Sequence, residues 1–114
     1  MHQGIDDLPE PGPTPNTLYH RTDAGERILA SGFQDGEGSY GFATLRLKGV
    51  WVSDEPLTPN EGAFGEDLLI IDVPAGLDLR NYEVIESMPR GFREWCVPAR
   101  VLNDTCTVKR AKDE

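Results

Sequence analysis

The chain reads as one α+β domain, rich in strands, with one main helix and long loops. Three observations lead there. Short apolar runs with strand character recur between turn-forming residues, and one stretch carries helical spacing between a cap and a glycine stop. Turn formers are also abundant, with 12 Gly and 9 Pro in 114 residues. A chain of this size can bury roughly two-thirds of its unfolded surface, enough for a single core.

Residues 1–16 contain prolines at positions 9, 11, 13 and 15, which deny regular backbone pairing, and read as a flexible leader. The domain proper is expected over 17–110, and 111–114 as a solvated tail. Thr17 to His20 is the first strand. Asp23 looks like the N-cap of a helix over Ala24–Ser31, with Glu26 completing a capping box and Ala24, Ile28 and Leu29 on one face. Gly32 stops that helix and Phe33 folds back under it. Gln34 to Phe42 is a glycine-rich loop carrying Tyr40, either a flap over a ligand or an ordinary surface loop.

Val50–Val52 is a second strand, set between Gly49 and Asp54-Glu55-Pro56. A loop follows to Glu66, with Pro59-Asn60-Glu61-Gly62 as a turn. Asp67–Val73 is nearly all apolar and reads as a strand buried on both faces. Tyr82–Glu86, Arg93–Pro98 and Thr105–Lys109 complete a set of six strands. A helical turn over Ala99–Leu102 precedes the last.

The hydrophobic fraction of 38% includes no long apolar run and no basic-apolar-small leader pattern, so neither a membrane span nor a cleavable signal is expected. A cytoplasmic location is the reading. The net charge of −9, from 11 basic and 20 acidic side chains, speaks against a general phosphate-backbone binder. It leaves room for a small nucleotide, which needs one or two cations or a few backbone N–H groups. Cys96 and Cys106 form no CxxC and have no neighbouring histidine, so no metal site is expected; Cys96 reads as a buried free thiol, with a Cys96–Cys106 bridge as the alternative.

Three residues carry candidate chemistry: His20 at the end of the first strand, Trp51 in the second, and Glu94 inside an apolar run. Each has a plain alternative. His20 can be a satisfied structural histidine, and Trp51 and Trp95 core rings. Glu94 can be paired with Arg93 or Arg90, since a buried carboxylate is costly without a partner. Ser53 can be a strand-end cap, and Arg46 and Lys48 part of a solvated face rather than a pyrophosphate clamp.

Taken in order, three blocks resemble the ADP-ribosyltransferase fold, in the branch of diphtheria toxin, the poly(ADP-ribose) polymerases and small bacterial or phage relatives. Leu18-Tyr19-His20-Arg21-Thr22 is similar to that family's first block. Gly49-Val50-Trp51-Val52-Ser53-Asp54 is similar to its second, and Arg93-Glu94-Trp95-Cys96-Val97-Pro98 to the strand bearing its glutamate. The resemblance implies a split β-sheet and cleavage of the nicotinamide–ribose bond of NAD, with ADP-ribose passed to a protein or nucleic-acid acceptor or to water. It makes Glu94 the catalytic carboxylate and His20 a ribose ligand. Backbone groups of Arg21 would hold the carboxamide and the Thr22 hydroxyl would add a contact, Trp51 or Tyr40 would stack on nicotinamide, and Ser53 would contact it too. Phe92, where arginine-modifying members carry Glu or Gln, disfavours arginine as acceptor. Three alternatives accompany this reading: a non-catalytic nucleotide- or protein-binding module of the same fold, an RNA 2′-phosphotransferase-like enzyme, and a structural protein of a phage or secretion cluster that binds no nucleotide.

Overall fold

The computed structural model describes residues 12–36, 48–57, 65–84 and 91–111. Within them the chain forms β1 (Thr17–Thr22), α1 (Gly25–Ser31), β2 (Val50–Ser53), β3 (Asp67–Asp72), β4 (Glu83–Val84), β5 (Glu94–Val97), α2 (Ala99–Thr105) and β6 (Thr107–Arg110). A turn of 3-10 helix over Arg80–Tyr82 leads into β4. The six strands make one antiparallel sheet in the order β4-β5-β2-β1-β3-β6. The result is an α+β domain with two helices.

Period-two alternation sets the faces. On β1, Leu18, His20 and Thr22 are buried while Thr17, Tyr19 and Arg21 are half-buried. Paired residues of an antiparallel ladder share a face. Leu18 opposite Ile71, His20 opposite Leu69, Val50 opposite Val97 and Val52 opposite Trp95 therefore all point one way. Ile28 of α1, Phe33, and Ala99 and Leu102 of α2 join these apolar side chains in the core. The other face carries Tyr19, Arg21, Trp51, Ser53, Glu94 and Cys96. In β2 and β5 every position is buried, so the middle of the sheet is closed on both sides.

Several local expectations shift for identifiable reasons. Asp23 does not cap α1: its carboxylate accepts the Glu66 N–H at 2.9 Å, and the Thr22 hydroxyl takes the Ala24 N–H instead, also at 2.9 Å. The helix starts one residue later than expected, and Leu29 is exposed rather than inward. Gly32 does end the helix, with φ of +94° and its N–H on the Ile28 carbonyl. On β3 only Leu69 and Ile71 are buried, so that strand alternates instead of being buried on both faces.

The second helix runs to Thr105, three residues past the expected turn. Pro98 has no side-chain cap to offer, and the Asp35 carboxylate accepts the Ala99 N–H from across the chain at 2.8 Å. Asn103 then pins the end of α1 by accepting the Phe33 N–H and donating to the Phe33 carbonyl.

Residues 12–16, the end of the stretch read as a flexible leader, have no regular structure but are tied to the body. Val73 donates to the Asn16 carbonyl at 2.8 Å, Leu79 donates to the Thr14 hydroxyl at 2.8 Å, and Arg93 donates to the Pro13 carbonyl at 3.0 Å. The Pro59–Gly62 turn, residues 37–42 of the glycine-rich loop, and Ile85 and Glu86 lie outside the described residues, as do residues 1–11. No helix among the described residues is long and apolar enough to cross a membrane.

Candidate functional site

Strands β5, β2 and β1 are adjacent, so the three sequence blocks stand side by side. Glu94 pairs with Ser53, and Ser53 with Tyr19, which makes one rank across three strands on one face. Facing Cβ atoms in such pairs lie about 5 Å apart, so Glu94 and Ser53 are in reach of one ligand atom. Trp51, two residues before Ser53, shares that face and pairs with Cys96. Glu94 and Ser53 are each only 4% exposed, which makes Glu94 a carboxylate withdrawn from water.

Ser53 closes the exit from β2: its hydroxyl donates to the Glu55 carbonyl at 2.6 Å, leaving its lone pairs as acceptors. The strand-end reading of Ser53 thus describes its donor, and its position beside Glu94 is additional. Arg21 is on the Glu94 face as well. Its Nε–H donates to the Leu57 carbonyl at 2.7 Å and its Nη1–H to the Gly65 carbonyl at 3.4 Å, so the side chain ties two loop ends to β1.

His20 and Thr22 point to the opposite face. The arrangement therefore separates two groups expected to share a cleft, because neighbours on one strand alternate and Tyr19, not His20, stands in register with Glu94. His20 is 2% exposed, meets the Phe33 ring edge-on at 5.5 Å between centroids, and has its Nδ1 2.7 Å from the Trp51 carbonyl. A carbonyl only accepts, so Nδ1 carries the proton and Nε2 is a bare acceptor, buried without a hydrogen-bond partner. Thr22 is occupied by the turn into α1. Tyr40, Arg46 and Arg90, the other partner expected for Glu94, lie outside the described residues.

Burial pushes the His20 pKa below its ordinary 6.5, partly offset by the bond to the Trp51 carbonyl. A folded-state value below the unfolded one means that stability is whole above pH 6.5 and is lost as pH falls below it, when the unfolded chain takes up a proton the folded chain resists. The melting temperature should decline between about pH 7 and pH 5, and H20N, which keeps a donor for the Trp51 carbonyl but cannot be protonated, should flatten that decline. Equal slopes for the two proteins would remove His20 from the pH response.

Trp95 lies fully in the core, as its alternative reading has it. Arg93 does not serve Glu94. Its fork grips Glu83, with Nε 2.8 Å and Nη2 2.9 Å from the two carboxylate oxygens, and its guanidinium carbon sits 4.7 Å from the centroid of the Trp95 ring. Cys96 is a free thiol with its pKa pushed up to about 11, first by burial and then by the Asp35 charge, so it is not a nucleophile near neutrality. No group of His, Cys, Asp and Glu able to hold a metal occurs among the described residues. A hollow of about 420 Å³ lies elsewhere, between Gly12–Thr14 and Gly76–Arg80, and includes none of these side chains.

Sequence reasoning missed Tyr19. Its membership of the Glu94 rank follows only from the β1–β2 register, which no residue type announces. No family model, curated protein or solved structure matches the chain.

Proposed function

We propose that this chain is an ADP-ribosyltransferase-like domain that cleaves the nicotinamide–ribose bond of NAD, with Glu94 as its working carboxylate. One observation carries the reading. Glu94 is a nearly fully buried acid at the head of β5, directly opposite Ser53, on the strands that bear the three resembling blocks. A carboxylate fixed in that rank beside the Ser53 hydroxyl is a group suited to an electron-poor sugar ring.

The chemistry suits the group. As the bond from the ribose C1′ to the nicotinamide nitrogen breaks, its electron pair leaves with the neutral nicotinamide and the ribose ring gains positive charge. A fixed carboxylate stabilises that charge where it develops. The acceptor, or water, then bonds C1′ and gives up a proton. Ser53 offers acceptor lone pairs beside the ribose hydroxyls, and Tyr19 is the more accessible ring on this face. His20 has a different part from a ribose ligand: it holds the Trp51 carbonyl from the other side of the sheet.

Nicotinamide release from NAD by wild type and E94Q tests this. E94Q keeps the shape and should stay folded while releasing nicotinamide about a hundredfold more slowly. A wild type that releases none, alone or with protein and nucleic-acid acceptors present, overturns the reading. Saturable NAD binding without release would favour the non-catalytic module, to which the inward-facing His20 lends some weight.

A further inference from the structure

We infer that Asp54 is the positioning residue that holds Glu94 in place. This rests on the reading of Glu94 as the working carboxylate. Beyond the Ser53–Glu94 pair, the next step of the β2–β5 ladder joins Asp54 to Arg93, the residue immediately before Glu94. The Asp54 N–H donates to the Arg93 carbonyl at 3.0 Å, an ordinary ladder bond. The return bond is not ordinary: the Arg93 N–H is accepted at 2.8 Å by the Asp54 side chain, at Oδ1.

The substitution has a local cause. After Asp54 the chain turns through Glu55-Pro56, with Ser53 closing that turn on the Glu55 carbonyl. The Asp54 carboxylate extends the ladder by one bond at the point where β2 leaves the sheet. Glu94 is the first residue of β5, and strand ends fray when their last bond is missing. Besides the Asp54 N–H on its carbonyl, what holds Arg93 among the described residues acts through its guanidinium, on Glu83, Pro13 and the Trp95 ring, several single bonds away from the Glu94 backbone. The Asp54 carboxylate acts on the Phe92–Arg93 peptide and the Asp54 N–H on the Arg93–Glu94 peptide, so Asp54 brackets Arg93 from both sides. Together with the Val84 pairing on the β4 side, it sets where the Glu94 Cα, and with it the carboxylate, stands relative to Ser53.

The test uses D54A, which removes the acceptor, and D54N, which keeps an oxygen there without the charge. D54A should lower kcat for nicotinamide release by about tenfold or more at nearly unchanged KM, and D54N should recover most of it, because displacement of a reacting group by a fraction of an ångström acts on the transition state. An activity-independent arm accompanies this. In protein carrying ¹³C-carboxyl glutamate, the Glu94 resonance, assigned by its loss in E94Q, should move in D54A and stay in place in D54N. A D54A protein that melts lower but keeps its kcat, or leaves the Glu94 resonance unmoved, overturns the proposal. A wild type without nicotinamide release, combined with a D54A resonance that moves, removes the enzymatic reading and leaves the positional link standing.

Discussion

Replacing Gly65 by alanine is expected to destabilise the fold by about 4 kcal/mol, the sum of a strained backbone and a close approach that has no room to relax. Gly65 has φ of +128°, in the region L side chains rarely adopt, and a Cβ there would meet the Thr22 backbone. The opposing atoms are main chain of β1, itself held by the β3 ladder, so they cannot swing aside as a flexible side chain would. The neighbouring contacts raise the cost: the Gly65 carbonyl accepts from Arg21, and the Glu66 N–H is fixed on Asp23. Thermal unfolding should show a melting temperature lower by about 15 °C. Gly76 is the control, since it has φ of +93° with nothing near its missing Cβ. G76A should therefore lose only about 1 kcal/mol of strain energy. Equal losses for the two variants would mean that the Gly65–Thr22 approach opens freely.

The second large effect is expected at Arg93. Its fork holds Glu83 through two parallel bonds, and while the Arg93 side chain is 33% exposed, that of Glu83 is only 5% exposed. R93A should cost about 3 kcal/mol, largely from leaving the Glu83 carboxylate in a dry site without its counter-charge. Lysine cannot reproduce the fork, so R93K should recover less than half of the loss. Arg93 also donates to the Pro13 carbonyl, and Glu83 accepts the Gly12 N–H at 3.4 Å, so the same change should speed protease cutting within residues 12–16. A denaturant double-mutant cycle with E83A should give a coupling of about 2 kcal/mol. Additive single effects would show the pair to be idle.

Much of the element order was readable because it rests on local chemistry. The helix between residue 24 and residue 31 follows from its spacing and from Gly32, and the strands follow from their apolar runs. What failed was chemistry that depends on partners. Asp23 has the side chain of a helix cap, yet a better donor, the Glu66 N–H, reaches it from a loop 43 residues on. Glu94 and Arg93 are neighbours in sequence, but alternation points them to opposite faces, and Arg93 finds Glu83 across the β4–β5 pairing instead. The separation of His20 from Glu94 has the same origin. Residue types can nominate both, but only the register says which side of the sheet each occupies, and a one-residue shift of β1 would bring His20 to the Glu94 side. The Asp54 bond to Arg93 was unreadable for a related reason, since it repairs a ladder whose end is known only from the fold.

The β1–β2 seam has a further consequence. Where β1 pairs with β3 along all six residues, it meets β2 at one paired position, Tyr19 with Ser53. The sheet is thus two three-stranded leaves, β4-β5-β2 and β1-β3-β6, whose backbones pair at one position, with the His20 side chain on the Trp51 carbonyl as a second tie. The chain alternates between them: first leaf β1, then β2 in the other, back to β3, across to β4 and β5, and back to β6. No single cut of the polypeptide can part the leaves, and neither exists as a continuous fragment. A domain woven in this way assembles through contacts between distant residues, which makes for slow and cooperative folding.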